Sequence, residues 1–300
     1  MRMGMVGLGR MGANMTRRLL DGGHEVAVYD ISPEAVKKVA GAGAIPSGSL
    51  GDLASNLEPP RVLWIMVPAG DITNQTISQA KEILAPGDIL IDGGNSRYTD
   101  SVRHAEELAE AGIHFADAGT SGGVWGLEEG YCLMVGAEPD VFDRIEPILE
   151  TLAPDKGYVR TGPPGSGHFV KMVHNGIEYA LMQAYAEGFE ILEAGEFDLD
   201  LPAIAEVWRH GSVIRSWLLD LAASALAQDP HLQEIEGYVE DSGEGRWTVE
   251  SAIQHSVPAP TIALSLFARF ASRQQDAFSN RLLAALRKEF GGHAVRKRPT

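Results

Sequence analysis

The sequence is poor in cysteine and in long apolar runs, and each shortage excludes a class of protein. Cys132 is the single cysteine among the 300 residues, which excludes an intrachain disulfide and a metal site built from several cysteines. Because Cys132 stands in an apolar stretch, we predict that it is a core residue. Every apolar run falls well short of the roughly 20 residues that a membrane-spanning helix needs, so no membrane partner is predicted.

Basic residues are also scarce. The chain has 25 Lys and Arg against 41 Asp and Glu, a formal net charge of −16. This balance argues against nucleic acid as the main partner, because phosphate backbones need a basic surface. The final residues are an exception, with basic side chains at Arg287, Lys288, Arg296, Lys297 and Arg298. That segment is either a local anion site or a solvated tail.

The N-terminal stretch does not resemble a secretory signal. Its first apolar run is interrupted by glycines and is followed by Arg10, Arg17 and Arg18. A signal peptide instead has its positive charges before an unbroken apolar segment. We therefore expect a cytoplasmic protein.

A glycine motif follows the first predicted strand. Met1 to Gly7 is a short apolar strand, and a helix is predicted from Asn14 to Leu20. Between them the chain reads G-x-G-x-x-G, the pattern in which glycines make a tight turn and admit a pyrophosphate at a helix N-terminus. The candidate cofactor-binding residues are Gly7, Leu8, Gly9, Arg10, Met11 and Gly12.

Asp30 bears on the choice of cofactor. It ends the second predicted strand, Glu25 to Tyr29, where a carboxylate would accept hydrogen bonds from both ribose hydroxyls and repel a 2′-phosphate. We therefore predict NAD as the cofactor, with NADP less favoured. The alternative is that Asp30 only caps the helix that starts near Pro33.

Strands and helices alternate through the first half of the chain and strand signals stop after it. The fold class predicted is an α/β N-terminal domain, a doubly wound Rossmann-type sheet, followed by an all-α helical domain. We place the dinucleotide-binding domain at 1–162 and the helical substrate-binding and dimerisation domain at 163–300. The predicted helices of the second domain are 166–194, 201–227, 247–255 and 259–289.

Three loops follow predicted strands of the sheet. Ligands in such sheets bind at the carboxyl ends of strands, and glycine-rich loops with free amides and small hydroxyls suit carboxylates and hydroxyls. The alternative is ordinary turn chemistry. The loop residues predicted to bind cofactor or substrate are Val67, Pro68, Ala69, Asn95, Ser121, Gly122 and Gly123.

The long helix predicted from Ser166 has an unusual polar face. Lys171, His174, Asn175 and Glu178 stand at i, i+3, i+4 and i+7, so their side chains project from one side. Apolar neighbours surround them in sequence: Phe169, Val170, Met172, Val173, Ile177, Ala180 and Leu181. A buried lysine can lose its proton near neutral pH and a buried carboxyl can keep one, which would supply a base and an acid together. The alternative is a solvated stripe.

Taken together, these motifs resemble the family of decarboxylating 6-phosphogluconate dehydrogenases, in a short form. The resemblance spans nearly the whole chain. The motifs that carry it are DGGNS from Asp92, SGG from Ser121, GHFVKMVHNGIEYALMQ from Gly167, GRWT from Gly245, FAR from Phe267 and RKEFGGH from Arg287.

The resemblance implies a reaction and a role for each site residue. It implies oxidative decarboxylation of 6-phosphogluconate to ribulose 5-phosphate and CO2 in the pentose phosphate pathway, with no metal. Lys171 would be the general base, Glu178 the acid that protonates carbon 1, and Asn175 a third catalytic residue. The substrate-binding residues implied are Asn95, Ser121, Gly122, Gly123, His174, Tyr179, Arg269, Arg287 and His293.

The same resemblance implies an oligomer. Arg287 and His293 would reach the site of a neighbouring subunit, so a homodimer or a dimer of dimers is expected. The chain departs from the family at Ser242 and Glu244, where long members have a Lys and a Thr for the substrate phosphate. Phosphate binding would then depend on Arg269 and Arg287, with Arg246 as a further candidate.

Two other functions are compatible with part of this pattern. A dehydrogenase of an unphosphorylated 3-hydroxy acid, such as 3-hydroxyisobutyrate, would share the glycine motif, Lys171 and Asn175, but has no need of an acid at Glu178. A non-catalytic nucleotide-binding protein would have little need of Lys171 and Glu178 on one face.

Overall fold

The computed structural model describes residues 1–296 of the chain. Eight strands make one sheet. They are β1 (Arg2–Val6), β2 (Glu25–Tyr29), β3 (Ile45–Pro46), β4 (Val62–Ile65), β5 (Ile89–Asp92), β6 (His114–Ser121), β7 (Cys132–Gly136) and β8 (Tyr158–Gly162).

Seven helices are interleaved with the strands and six follow them. The first group comprises α1 (Arg10–Asp21), α2 (Pro33–Ala40), α3 (Leu50–Ser55), α4 (Asp71–Lys81), α5 (Tyr98–Ala109), α6 (Gly126–Glu129) and α7 (Pro139–Leu152). The second comprises α8 (Ser166–Glu193), α9 (Leu201–Arg209), α10 (Trp217–Gln228), α11 (Glu244–Gln254), α12 (Pro260–Ser272) and α13 (Phe278–Gly291). A 3-10 helix, Gly123–Trp125, precedes α6.

The sheet has the order β3-β2-β1-β4-β5-β6-β7-β8. All neighbouring pairs are parallel except β6 and β7. Strands β4 and β5 are buried at every residue, as expected for a sheet covered by helices on both faces. The strand order reverses between β1 and β4, which places a ligand crevice at their carboxyl ends. The predicted α/β class with a helical second half is confirmed for the described residues.

Local boundaries differ from prediction in the first half. Helix α1 begins at Arg10, before the predicted Asn14, because the amide of Ala13 already donates to the carbonyl of Gly9. Strand β6 continues to Ser121 through its pairing with β7. Strand β3 and helix α3 were not predicted, since elements of two and six residues show little periodicity.

Two long predicted helices are each two helices. The predicted helix 201–227 is interrupted at Gly211, which adopts a positive φ of 79°, and a new helix begins where Ser216 accepts the amide of Leu219. The predicted helix 259–289 ends at Ser272, and α13 begins at Phe278. At the first break, a glycine in the left-handed conformation is a common helix terminator, so Gly211 is a local signal that the prediction missed.

The chain divides into two compact units, Met1–Asn175 and Gly176 onward. The first unit has a large core on both faces of the sheet, and the second has a small cluster formed by Leu201, Ala205, Ala223 and Leu226. The domain boundaries drawn at 162 and 163 remain a prediction. Across residues 1–296 no helix is both long and apolar enough to cross a bilayer.

Two burial predictions are wrong. Cys132 is exposed, at the first position of β7, although every later residue of that strand is buried. On α8, Val170, Ile177 and Leu181 are exposed, although they were expected to enclose the polar face. Lys171 and Asn175 are buried instead. The helix therefore buries its polar residues and leaves apolar ones exposed.

Candidate active site

The glycine loop between β1 and α1 has room for a ligand at one glycine and none at the others. A Cβ at Gly7, whose φ is +90°, would lie 2.4 Å from the carbonyl oxygen of Met66. A Cβ at Gly12 would lie 2.0 Å from the carbonyl oxygen of Gly7. Gly9 has nothing within 4 Å of the equivalent position. Gly7 and Gly12 thus pack the turn and the helix, while Gly9 leaves space for a pyrophosphate at the start of α1.

Asp30 connects the end of β2 to this loop. Its Oδ2 accepts the amide of Leu8 at 2.6 Å, and its Oδ1 accepts the amide of Ser32 at 2.8 Å. The alternative that Asp30 caps α2 is wrong, because Ser32 is the N-cap and accepts the amide of Ala35. Ser32 followed by Pro33 is a sequence signal for that cap.

A cavity of about 410 Å³ opens beside Asp30. Val36, Lys37 and Ser47 are among its lining residues. The size suits the adenosine end of a dinucleotide. Sequence reasoning missed Lys37, which has no motif of its own and is placed only by the packing of α2.

Two predicted loops lie side by side because β4 and β5 are adjacent and parallel. The first, from Val67 to Ala69, is anchored by a hydrogen bond from the hydroxyl of Thr73 to the carbonyl of Pro68. In the second, a Cβ at Gly93 would lie 2.0 Å from Nε1 of Trp64, so only glycine fits there. This contact holds the loop against the sheet, and half-buried Asn95 follows two residues later.

The third predicted loop, Ser121 to Gly123, follows β6. Gly122 and Gly123 have positive φ values of 133° and 52°, which favour glycine. A Cβ at Gly126 would lie 1.9 Å from the ring of Tyr131, which fixes the turn into α6. The structure therefore places Ser121, Gly122 and Asn95 at carboxyl ends of neighbouring strands of one unit.

Lys171, His174 and Asn175 form one hydrogen-bonded group. Lys171 is only 8% exposed and its Nζ donates to Oδ1 of Asn175 at 2.7 Å. The same oxygen lies 2.9 Å from Nδ1 of His174, so the ring nitrogen donates to it. A Cβ at Gly119 would lie 2.4 Å from Cβ of Lys171. Helix α8 thus packs closely against β6, and the amide oxygen of Asn175 accepts a hydrogen bond from the amine of Lys171.

The second unit contains Glu178 and Tyr179. Glu178 is half-buried, seven residues after Lys171 along α8. The hydroxyl of buried Tyr179 accepts the amide of Ser242 at 3.1 Å, and Arg269 lies 3.7 Å over the tyrosine ring. A Cβ at Gly245 would lie 2.7 Å from that ring. These contacts bring Tyr179, Arg269 and Ser242 together. Tyr179 and Arg269 are two of the residues predicted to bind the substrate.

Arg246 is engaged with a carboxylate. Both Arg246 and Arg273 donate to Asp241, at 2.7 Å and 2.9 Å. These guanidinium groups, with Arg246 the larger influence, lower the pKa of Asp241. Glu244 is buried in the first turn of α11 rather than projecting into solvent. Arg246 is therefore not a free cation, and Arg269 is the better placed of the two for a phosphate.

Arg287 and His293 are exposed, and α13 buries none of its residues. The unit that carries them does not bring them to Tyr179 or Arg269 through any described contact. Lys297 and Arg298 lie outside the described residues. Among residues 1–296 no cluster of three or more His, Cys, Asp or Glu could hold a metal ion.

Two family models match the chain. One describes the NAD-binding domain of 6-phosphogluconate dehydrogenase and covers residues 2–162. The other describes the C-terminal domain of 6-phosphogluconate dehydrogenase and covers residues 167–293.

Full-length relatives agree with these models. The NAD(+)-dependent, decarboxylating 6-phosphogluconate dehydrogenase of Haloferax volcanii is 46% identical over 301 residues, with 99% of each chain covered. The solved structure of Plasmodium falciparum 6-phosphogluconate dehydrogenase, described with its cofactor NADP+ and its substrate 6-phosphogluconate, is 28% identical. Its TM-score is 0.84, over 100% of this chain and 67% of that one.

A more distant structure shares the fold. The 3-hydroxyisobutyrate dehydrogenase of Mycobacterium tuberculosis superposes with a TM-score of 0.72 at 22% identity, covering 95% of this chain and 99% of that one. At this identity the likeness concerns the fold alone.

Proposed function

The chain belongs to the 6-phosphogluconate dehydrogenase family, and on that premise we propose that it oxidises and decarboxylates 6-phosphogluconate to ribulose 5-phosphate and CO2. The observation that carries the proposal is the buried amine of Lys171, hydrogen-bonded to Asn175 on the helix that also bears Glu178. The reaction uses a nicotinamide cofactor, and the first unit has the glycine loop and cavity to hold it. We further propose that the protein works in the cytoplasm.

Lys171 is the general base of the first step. The nicotinamide cofactor, when bound, supplies the hydride acceptor. As the hydride leaves carbon 3, neutral Lys171 takes the proton of the carbon 3 hydroxyl, and a carbonyl forms there. The side-chain oxygen of Asn175 accepts a hydrogen bond from the amine of Lys171 and so holds the lysine side chain in one rotamer. The ammonium that results then donates to the new carbonyl oxygen, which stabilises the electrons released as CO2 departs from carbon 2.

Glu178 completes the sequence. Loss of CO2 leaves an enediol that must gain a proton at carbon 1 of the product. By its spacing, Glu178 projects from the same face of α8 as Lys171, two turns further on. Asn95, Ser121, Gly122, Gly123 and His174 would bind the carboxylate and hydroxyls of the substrate. Tyr179 and Arg269 would bind its phosphate, the arginine through a charge-assisted pair.

Turnover with alternative substrates tests this function. We expect reduction of the cofactor with 6-phosphogluconate, with one CO2 trapped per cofactor reduced. Turnover of 3-hydroxyisobutyrate in place of 6-phosphogluconate, without CO2, would contradict the proposal and favour the alternative dehydrogenase. Absence of turnover with every hydroxy acid tested would favour the non-catalytic reading.

We also propose that NAD is preferred over NADP, and that Asp30 is the cause. Replacing Asp30 with Asn removes the charge that repels a 2′-phosphate and weakens hydrogen bonds to the ribose. A hydrogen bond to a charged group contributes about 1.5–3 kcal/mol, so the ratio of kcat/KM for NAD to that for NADP should fall about 10- to 100-fold. Initial rates with both cofactors measure this ratio.

Glu34→Gln is the matched control for Asp30→Asn. Glu34 is an exposed carboxylate in the first turn of α2 that does not line the cavity. Its loss should leave the cofactor ratio unchanged. An equal shift in both variants would mean that general charge, not Asp30, sets the preference.

We propose that the active form is a homodimer in which the C-terminal segment of one subunit completes the site of the other. Helix α13 supports this, because Phe278, Leu282, Leu286 and Phe290 form an exposed apolar stripe at four-residue spacing. The second unit also has an apolar groove of about 480 Å³ between α8 and α10.

Charge favours α13 of a second copy as the occupant of that groove. Glu190 and Glu193 stand among the residues that line it. Helix α13 carries Arg287 and Lys288 in its last turns. A basic helix with an apolar stripe is complementary to an apolar groove with acidic residues.

Mixing two inactive variants tests whether the tail acts across the dimer. In a heterodimer of Lys171→Met and Arg287→Ala chains, one site would combine an intact Lys171 with an intact Arg287 from the partner. When equal amounts of the two variants exchange subunits at random, about a quarter of the wild-type activity should return. No recovery, although exchange is shown by native mass spectrometry, would mean that Arg287 serves its own chain.

A further inference from the structure

We propose that Asp117, which lies beneath the site and has no assigned role, is a positioning residue that fixes the lysine-bearing part of α8 for the reaction. The inference rests on the proposed role of Lys171 as the base. It is drawn from contacts within the first unit alone.

The first turn of α8 lacks a cap from its own sequence. The first amides of a helix have no partner within it, and the residue before Ser166 is Gly165, which has no side chain. Asp117, from β6, supplies the acceptor: its Oδ1 accepts the amide of Gly165 at 2.5 Å and its Oδ2 accepts the amide of His168 at 2.6 Å. A buried carboxylate thus caps the helix from 48 residues away in sequence.

Two glycines, Gly136 on β7 and Gly167 on α8, let this turn pack closely against the sheet. A Cβ at Gly136 would lie 2.3 Å from Oδ1 of Asp117, and a Cβ at Gly167 would lie 2.5 Å from the carbonyl oxygens of Asp117 and Met134. No side chain separates α8 from β6 and β7 at these points. The carboxylate therefore has a single position, and so does the helix that it caps.

Strand and helix periodicity link Asp117 to the lysine. Asp117 and Gly119 share one face of β6, because residues two apart point to the same side. His168 and Lys171 share one face of α8, because they are three apart. Asp117 holds the amide of His168, and Gly119 lies against Cβ of Lys171. A shift of the helix at Asp117 would be transmitted directly to the amine.

A second anchor holds the same turn. The ring of His168 is buried, and its Nδ1 lies 2.7 Å from the hydroxyl of Ser101 on α5. His168 Nδ1 is also 3.9 Å from Oδ2 of Asp117. Burial raises the pKa of Asp117, while His168 and the two amides favour its charged form. The group is a compact polar junction without solvent exposure, where a lost hydrogen bond has no water to replace it.

The test replaces Asp117 with Asn, which keeps the volume but places an amide donor opposite one of the two backbone amides. We expect kcat with 6-phosphogluconate to fall about 10- to 100-fold, because small displacements of a catalytic group have effects of this size. The cofactor dissociation constant should stay within about twofold, since the glycine loop is untouched. Hydrogen exchange of the peptide that spans Gly165 and His168 should become faster.

Asp88→Asn is the matched control. Asp88 is equally buried, accepts two backbone amides, from Arg61 and Ala85, and stands before β5 at the opposite end from the loops. This substitution should lower the melting temperature but leave kcat per folded molecule unchanged. Equal losses of kcat in both variants would overturn the proposal, because the effect would then be general destabilisation.

Other outcomes are equally decisive. Faster exchange in Asp117→Asn with wild-type kcat would overturn the positioning role, whereas absence of turnover in the wild type would overturn the proposed function instead. If Asp117→Asn does not fold, Ser101→Ala removes the second anchor with less disruption. That variant should lose about threefold or more in kcat with unchanged cofactor affinity, and an unchanged kcat would overturn the proposal.

Discussion

Replacing Lys171 with Met should leave a folded protein that binds the nicotinamide cofactor but transfers hydride about 10³- to 10⁴-fold more slowly. Methionine fills nearly the same buried volume, so the loss is chemical rather than structural. Without the amine, the carbon 3 hydroxyl loses the base that we propose for it. Pre-steady-state absorbance of the reduced cofactor measures the step directly.

Lys81→Met is the control for this variant. Lys81 is a half-buried lysine in the last turn of α4, outside every loop at the carboxyl ends of the strands. Its replacement should leave the rate of hydride transfer unchanged. A normal burst of reduced cofactor in Lys171→Met would rule out Lys171 as the base.

Replacing Glu178 with Gln should separate oxidation from product formation. Hydride transfer requires only Lys171, so a burst of reduced cofactor close to one per site should remain. Protonation of carbon 1 needs the acid, and later turnovers should be about 10²- to 10³-fold slower. Rapid-quench measurement of ribulose 5-phosphate against reduced cofactor distinguishes the two steps.

The corresponding control is Glu187→Gln. Glu187 is an exposed carboxylate on α8 that pairs with Gln183 and lies two turns beyond Glu178. This variant should show the same burst of reduced cofactor and the same later turnover rate as the wild type. Equal, mild slowing of burst and turnover in Glu178→Gln would contradict the assigned roles, because a residue that acts after oxidation cannot slow both alike.

The exposed apolar face of α8 has a consequence for the oligomer. Helix α8 leaves Ile177 and Leu181 exposed. Phe290 on α13 is 98% exposed. Exposed apolar surfaces of this extent mark protein contacts, which agrees with the proposed dimer and with the groove between α8 and α10.

Much of the site was predictable because its signals are local. The pattern from Gly7 to Gly12, the acidic residue that ends β2, and the spacing of Lys171, Asn175 and Glu178 each depend on a few neighbouring residues. The space around each glycine agrees with these roles, since a Cβ would fit at Gly9 but not at Gly7 or Gly12. The family follows from the same motifs.

Other features were not predictable, because they depend on residues far apart in sequence. Cys132 is exposed at the start of β7, and the composition around it gave no sign of this. Arg246 is neutralised by Asp241 and shares it with Arg273, which lies 32 residues away from that carboxylate.

By itself, the sequence determined the α/β class, the helical second half, the cofactor loop and the lysine helix, since periodicity and short motifs encode each of them locally. Only the tertiary structure decided how the helix that carries Lys171 is held: Asp117 of β6 caps its first turn, and Gly119, Gly136 and Gly167 let the helix pack closely against the sheet. The physical reason is that buried polar groups and the ends of helices need hydrogen-bond partners, and the fold can bring those partners from any part of the sequence.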